Sequence, residues 1–259
     1  MRVAVVAPSR SLPQEAAEEV EALARKAGVE LVIDPRCFLA EGHFAGSDQA
    51  RADAFVSAAN DPSFDAIWFA RGGYGACRIL DRVLPQLGEA AEAKTYLGYS
   101  DGGYLLAALD RNGIGHSVHG SMLGDVLRDG GEKAIEQCLM FLSSGQAEEP
   151  AVVLNLAVLA SLVATPYLPD LNGRTLIIEE VDEHLYAIDR MLFTAFSSGR
   201  LAGVKGLKLG RINMVPENDI DFGQTAEEIV RAHCACGEIP FLGHADVGHD
   251  VENKVVPWR

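Results

Sequence analysis

The chain has 259 residues, 48% of them hydrophobic, with 22 Lys+Arg against 37 Asp+Glu and a formal net charge of −15. A chain of this length buries a sizeable core as one large or two small domains. The acidic balance argues against nucleic acid and anionic membrane surfaces as partners, because both are gripped by clustered lysine and arginine.

The segment from Met1 to Pro8 is too short an apolar run for an export signal, and none is expected. Ala151 to Val163, interrupted by Asn155 and Ser161, is too short to span a bilayer. The cysteines are Cys37, Cys77, Cys138, Cys234 and Cys236. An odd count without export predicts reduced thiols and a cytoplasmic protein. Cys234 and Cys236 have no second Cys/His pair at finger-like spacing, so no metal site is expected.

Arg2 to Ala7 reads as a first strand that stops at Pro8. Gln14 to Ala27 is a helix with Ala16, Ala17, Val20, Leu23 and Ala24 on one face and glutamates on the other. Glu30 to Ile33 is a second strand, Ala50 to Asn60 a helix ended by Asp61-Pro62, and Ala66 to Ala70 a third strand. Arg71-Gly72-Gly73-Tyr74-Gly75 follows at once. Its glycines permit positive φ and close backbone approach to a ligand, and its amides can form an anion-binding nest. Arg71 can meet a carboxylate through two parallel hydrogen bonds. The spacing is not G-x-G-x-x-G, and a dinucleotide loop would follow the first strand, so no cofactor is expected.

Thr95 to Gly98 is a fourth strand that runs into Gly98-Tyr99-Ser100-Asp101-Gly102, and an apolar helical stretch, Tyr104 to Leu109, comes next. The pentapeptide fits the G-x-S-x-G elbow, in which a tight strand-to-helix turn pushes a serine hydroxyl into solvent beside backbone N–H groups. Those are two parts of acyl transfer, an exposed nucleophile and donors for an oxyanion. Gly115 to His119 is a short fifth strand and Glu132 to Leu142 a helix. Strands alternating with helices imply a parallel sheet, whose ligands bind outside the carboxyl ends of the strands.

Ser143 to Pro150 is polar, lacks periodicity and reads as a linker, dividing a domain of residues 1–148 from one of residues 149–259. The second half holds strands at Thr175 to Glu179 and Val204 to Ile212, helices at Tyr186 to Ser198 and Thr225 to Cys234, and an extended segment at Ile239 to Leu242. A serine nucleophile needs a base. His249, presented after Gly248, and His119, near a strand end, are the two candidates. The base needs an orienting carboxylate, and Glu179-Glu180 stand directly after the apolar run Leu176-Ile177-Ile178. Glu183, Asp189 and Arg190 read instead as a helix start and an ion pair. The order serine, acid, histidine also occurs in α/β-hydrolases, so order alone does not decide.

Taken in order along nearly the whole chain, these blocks resemble the LD-carboxypeptidases, a family that includes murein tetrapeptide carboxypeptidases and microcin C self-immunity peptidases. The resemblance is carried by Arg71 to Gly75, Gly98 to Asp101 and His119-Gly120 in the first half. In the second half it is carried by Asn155-Leu156 with Ala164 to Tyr167, Leu176 to Glu183 with Tyr186, Asp189 and Arg190, and Gly248-His249 with Pro257. It implies an α/β fold, with a Rossmann-like parallel-sheet N-terminal domain and a smaller β-rich α/β C-terminal domain. It implies Ser100 as nucleophile, Glu179 as orienting acid, His249 as general base, and an oxyanion hole from the N–H groups of Asp101 and of Gly72 or Gly73. It also implies a homodimer acting in the cytoplasm on a small peptide with a free carboxylate. The reaction would be hydrolysis of an L,D bond, such as release of terminal D-Ala from murein tetrapeptide during cell-wall recycling.

The chain departs from the family at several places. Glu179-Glu180 replaces Glu-Asp, Gly102-Gly103 follows the elbow, Ser121 follows His119-Gly120, Leu154 precedes Asn155, Ala164 precedes Thr165, and Trp258-Arg259 stands where the family has a glycine and a further strand. The catalytic positions survive, so the departures bear on the substrate pocket. An aminoacyl-adenylate conjugate is the second substrate class to weigh, and an aromatic that stacks on a base would favour it. A ligand-binding α/β protein without activity is the third reading.

Overall fold

A computed structural model of the chain describes residues 1–259. The first half runs β1 (Arg2–Val6), α1 (Gln14–Lys26), β2 (Glu30–Ile33), α2 (Asp48–Asn60), β3 (Ala66–Phe69), α3 (Leu80–Val83), α4 (Glu89–Glu92), β4 (Thr95–Gly98), α5 (Gly103–Arg111), β5 (His116–His119) and α6 (Gly131–Ser144). α1 buries the five residues named above, and α2 starts two residues earlier than the periodicity suggests because the Ser47 hydroxyl accepts the N–H of Ala50 at 3.2 Å.

The second half runs β6 (Val152–Asn155), α7 (Leu156–Leu162), β7 (Thr175–Val181), α8 (Leu185–Ser197), β8 (Gly206–Asn213), α9 (Ala226–Cys236), β9 (Phe241–His244) and β10 (Val256–Pro257). β6 and α7 occupy the apolar stretch that periodicity alone left without an element. Asn155 separates them, its side-chain oxygen accepting the N–H groups of Ala157 at 3.1 Å and Val158 at 3.3 Å. Cys234 and Cys236 lie on α9, the first buried and the second exposed.

Two sheets result. The first has the order β10-β5-β4-β3-β1-β2, with β1 to β5 parallel. The chain's last strand closes its edge, β10 pairing antiparallel with β5 through Val256↔His119 and Pro257↔Val118. The second sheet is β6-β7-β8-β9, all parallel. This is the expected α/β architecture, a Rossmann-like sheet followed by a smaller one.

The two sheets share one apolar cluster of 44 buried residues, in which Leu105 and Leu106 of α5 join Leu154 of β6 and Val158 of α7. Polar ties cross the same boundary. The buried Asp110 carboxylate pairs with Arg174 at 2.7 Å and Arg259 at 3.0 Å, and the Arg174 guanidinium also donates to the Trp258 carbonyl. The polar stretch after α6 is held too. Gly145 ends the helix in the left-handed conformation, φ 76°, and the N–H groups of Glu148 and Ala151 donate to the carbonyls of Val255 and Pro257. The carboxyl ends of both sheets therefore meet across one cleft of about 710 Å³.

Candidate active site

Ser100 follows β4 and sits at φ 54°, the left-handed region. That conformation costs a residue with a Cβ about 1 kcal/mol or more, so the surroundings must enforce it. Two glycines do so. A Cβ on Gly98 would lie 2.4 Å, and one on Gly102 2.7 Å, from Cδ2 of Phe69 on the neighbouring strand. The turn fits only because both positions lack side chains, and it directs Ser100 into the cleft.

The glycine loop after β3 lies against this serine. A Cβ on Gly72 would come within 3.1 Å of Ser100 Oγ and 2.9 Å of Met122 Cε, so the backbone at 72 lies close against the hydroxyl. The N–H groups of Gly72 and Gly73 donate to no protein acceptor. The Asp101 side chain points away from the cleft. Buried, it accepts the Ser9 hydroxyl and the Ala76 N–H, the latter at 2.8 Å. Burial raises its carboxyl above the usual range, against the pull of those hydrogen bonds. From the other side, the buried Arg51 guanidinium donates to the carbonyls of Pro8 and Gly75. The loop is clamped between these two side chains.

The second half supplies a carboxylate and an imidazole. Glu179 is fully buried near the end of β7, and its Oε2 accepts the Nδ1–H of His249 at 2.5 Å. A bulge in β8 makes the room, because Ile178 pairs with Leu209 but Glu180 with Ile212. Gly210 lies in that bulge, and a Cβ there would be 3.0 Å from the Glu179 Cβ and 2.9 Å from the Val247 carbonyl. With Nδ1 so engaged, Nε2 is the nitrogen left for chemistry, and His249 lines the same cleft as Ser100. Burial disfavours the imidazolium, but the adjacent Glu179 charge and hydrogen bond outweigh it and hold His249 above its ordinary value.

The histidine backbone is fixed as well. Its N–H donates to Asn213 Oδ1 at 2.9 Å, and its carbonyl accepts from Arg128 at 2.7 Å. Arg128 pairs with Asp125 at 3.1 Å, and Asp125 accepts the Tyr99 hydroxyl at 3.1 Å. The Tyr99 ring, one residue before Ser100, packs on the His249 ring with centroids 4.8 Å apart. A chain of contacts thus runs from the elbow to the imidazole across the two halves. Arg71 also lines the cleft, its guanidinium reaching only the Ser11 carbonyl, at 3.5 Å.

Ser100, His249, Arg71, Gly72 and Gly73 line one cleft, with Glu179 buried behind His249 and the Asp101 backbone at the elbow. The rivals separate from them. His119 is buried, and its Nε2 faces Asn253 Oδ1 at 2.8 Å; because that oxygen can only accept, Nε2 carries the hydrogen. Burial drives His119 down to about 4, so it stays neutral. Glu180 faces the other way. Its carboxylate accepts from Asn155 at 2.7 Å and from the N–H groups of Ala157 and Val181, both at 2.8 Å, capping α7. The ion pair expected among Glu183, Asp189 and Arg190 does not form. Asp189 bonds His233 at 2.7 Å, Arg190 lies over the Tyr186 ring, and Glu183 lines the cleft. Periodicity and motif missed Arg10, Tyr99, Asp125, Arg128, Asn213 and Asn253. Of these, Tyr99 stands inside the elbow pentapeptide and Arg10 follows β1 at the carboxyl end of the sheet; the others carried no local signal.

Known proteins resemble the chain over nearly its whole length. The sequence profile of the LD-carboxypeptidase N-terminal domain matches residues 3–120, and that of the LD-carboxypeptidase C-terminal domain matches residues 150–259. A carboxypeptidase-named chain of Synechocystis is 31% identical over 270 residues, covering 99% of this chain and 88% of its own. The murein tetrapeptide carboxypeptidase of Pseudomonas aeruginosa is 25% identical over 283 residues, covering 99% and 91%. The crystal structure of muramoyltetrapeptide carboxypeptidase from Oxalobacter formigenes superposes with a TM-score of 0.82 at 25% identity, covering 98% of this chain and 92% of that one.

Proposed function

Because the chain belongs to the LD-carboxypeptidase family, whose members are serine-type carboxypeptidases, we propose that it cleaves an L,D-peptide bond with Ser100 as nucleophile, His249 as general base and Glu179 as its orienting acid. The substrate in this reading is a murein tetrapeptide and the product is D-Ala. His249 Nε2 takes the Ser100 proton as Oγ attacks the scissile carbonyl carbon. The oxyanion is received by the N–H of Asp101 and by the free N–H groups of Gly72 and Gly73. His249 returns the proton to the leaving amine, and water, activated by the same imidazole, hydrolyses the acyl-enzyme.

The observation that carries this reading is the 2.5 Å Glu179–His249 pair opening onto the same cleft as the strained Ser100. The D configuration is supported by the relatives named murein tetrapeptide carboxypeptidase rather than by the cleft. The base-stacking aromatic that an adenylate conjugate would use is not supplied by Trp258, which is buried in the core. The family profiles over residues 3–120 and 150–259 support a division near residues 148 and 149, with β10 of the second half completing the first sheet, and the five free thiols support a cytoplasmic setting. No helix is long and apolar enough to cross a membrane. The family implies a homodimer.

The test is mass spectrometry of murein tetrapeptide incubated with the wild type and with Ser100→Ala. The wild type releases D-Ala and the variant does not. Release by the variant at the wild-type rate would sink the triad. An inert wild type with a matched L,L peptide cleaved instead would sink the substrate assignment alone.

A further inference from the structure

Two arginines in the cleft have no acidic partner. Arg10 and Arg71 both line it beside Ser100, and neither forms an ion pair, whereas Arg2, Arg36, Arg51, Arg78, Arg174 and Arg211 all do. In a chain of net charge −15, acids are plentiful, and Asp182 and Glu183 line the same cleft, yet neither pairs with these two arginines. The carboxylate whose field most favours the charged Arg71 belongs to Asp125, and it is already engaged by Arg128, the Tyr99 hydroxyl and the Met122 N–H. Burial and the neighbouring Arg10 charge pull the Arg71 guanidinium below its ordinary value. It nonetheless stays charged, and two like charges facing one cavity favour an anion between them.

Their placement defines which anion. Arg71 immediately precedes Gly72. The Arg10 stem crosses Gly73, where a Cβ would lie 2.2 Å from Arg10 Cδ and 2.7 Å from Cγ. Glycine at 73 therefore makes room for this arginine as well as for the turn. In a carboxypeptidase substrate a single residue separates the scissile bond from the terminal carboxylate. The site for that carboxylate must adjoin the backbone that meets the scissile carbonyl, and the cations flanking this loop are Arg71 and Arg10.

We propose that Arg10 and Arg71 together clamp the terminal carboxylate of the peptide substrate, with Arg10 the residue that sets the preference for a free acid. This assignment rests on reading the cleft as a carboxypeptidase site. Two planar forks suit a carboxylate better than one ammonium would, because each presents paired donors. Arg10 comes from the loop after β1 and Arg71 from the loop after β3, so the anion bridges the two loops next to the elbow.

The experiment measures equilibrium binding of a murein tetrapeptide and of its C-terminal carboxamide to Ser100→Ala and to Ser100→Ala/Arg10→Gln. The account expects the first protein to prefer the acid by about tenfold or more, the effect of a charge-assisted hydrogen bond. Arg10→Gln should remove most of that preference by weakening the acid alone, with the amide changed less than about twofold and Arg10→Lys recovering part of the loss. Equal weakening of both peptides, unchanged acid binding, or no binding of either peptide to Ser100→Ala would overturn the clamp. If the wild type leaves the tetrapeptide intact while Arg10-dependent acid binding persists, the clamp stands and the L,D-carboxypeptidase reading fails.

Discussion

The two halves of this molecule position their reactive groups in different ways. In the first half, local backbone sets the geometry. Ser100 is held at φ 54° between glycines packed on Phe69, and the glycine loop lies close against its hydroxyl at Gly72. In the second half, long-range side-chain contacts set it. Glu179 orients the His249 ring, Asn213 holds its N–H and Arg128 its carbonyl, at 70, 36 and 121 residues' separation. A nucleophile needs one fixed direction, which a tight turn supplies. A base needs a tautomer, a ring orientation and a tuned pKa, which only partners from elsewhere can supply.

If that contrast is right, replacing an orienting contact in the second half acts through the proton, while changes in the first half act through shape. Among residues that support the nucleophile and base, the largest effect is expected for Glu179→Gln. It keeps the size but removes the charge and the acceptor pattern that fix the Nδ1–H tautomer, and kcat should fall about 10³- to 10⁴-fold. The sign of the accompanying pH change follows from the structure. His249 acts as a base only when neutral, and Glu179 holds its value above the ordinary one. The acid limb of the kcat/KM profile should therefore move to lower pH in the variant. An unmoved limb would mean that Glu179 does not tune His249.

Gly72→Ala probes shape. A methyl group there meets Ser100 Oγ at 3.1 Å and Met122 Cε at 2.9 Å, with no charge altered. A fall in kcat of about 10²- to 10³-fold is expected, as for loss of one oxyanion donor, with the pH profile unmoved. Steady-state kinetics across pH would distinguish it from Glu179→Gln. The smallest effect belongs to His119→Gln. The glutamine can still donate to Asn253, whose side-chain oxygen also accepts the Gly248 N–H at 3.0 Å. Thermal melting should show a loss of about 1 kcal/mol and turnover should stay within about threefold. A catalytic collapse would instead restore His119 as a rival base.

The same contrast explains what was legible in the sequence. The five parallel strands of the first sheet followed from alternation, though not its edge strand β10, and Gly98 to Gly102 announced itself because an elbow is a property of five consecutive residues. Periodicity did not separate β6 from α7, since an apolar run capped from within by Asn155 reads as one stretch. The acid and base were different. Residue patterns left Glu179 with Glu180, and His249 with His119, as open pairs, and family resemblance chose between them. The physical reason for the choice is tertiary. Glu180 spends its oxygens on α7 and β7, and His119 on Asn253, contacts that no local pattern encodes. Arg10 follows β1 at the carboxyl end of the sheet, but its packing on Gly73, 63 residues away along the chain, is a tertiary contact.

The central claim is that Ser100 and His249, contributed by opposite halves, act as one unit. Its most direct test is the residual kcat of Ser100→Ala, His249→Ala and the double variant on the same L,D-peptide. Groups that act together are lost together, so each single variant should fall by about 10⁴-fold or more and the double should match them within a few-fold. A double variant in which the two losses multiply would show that the halves contribute independently, and would contradict the account.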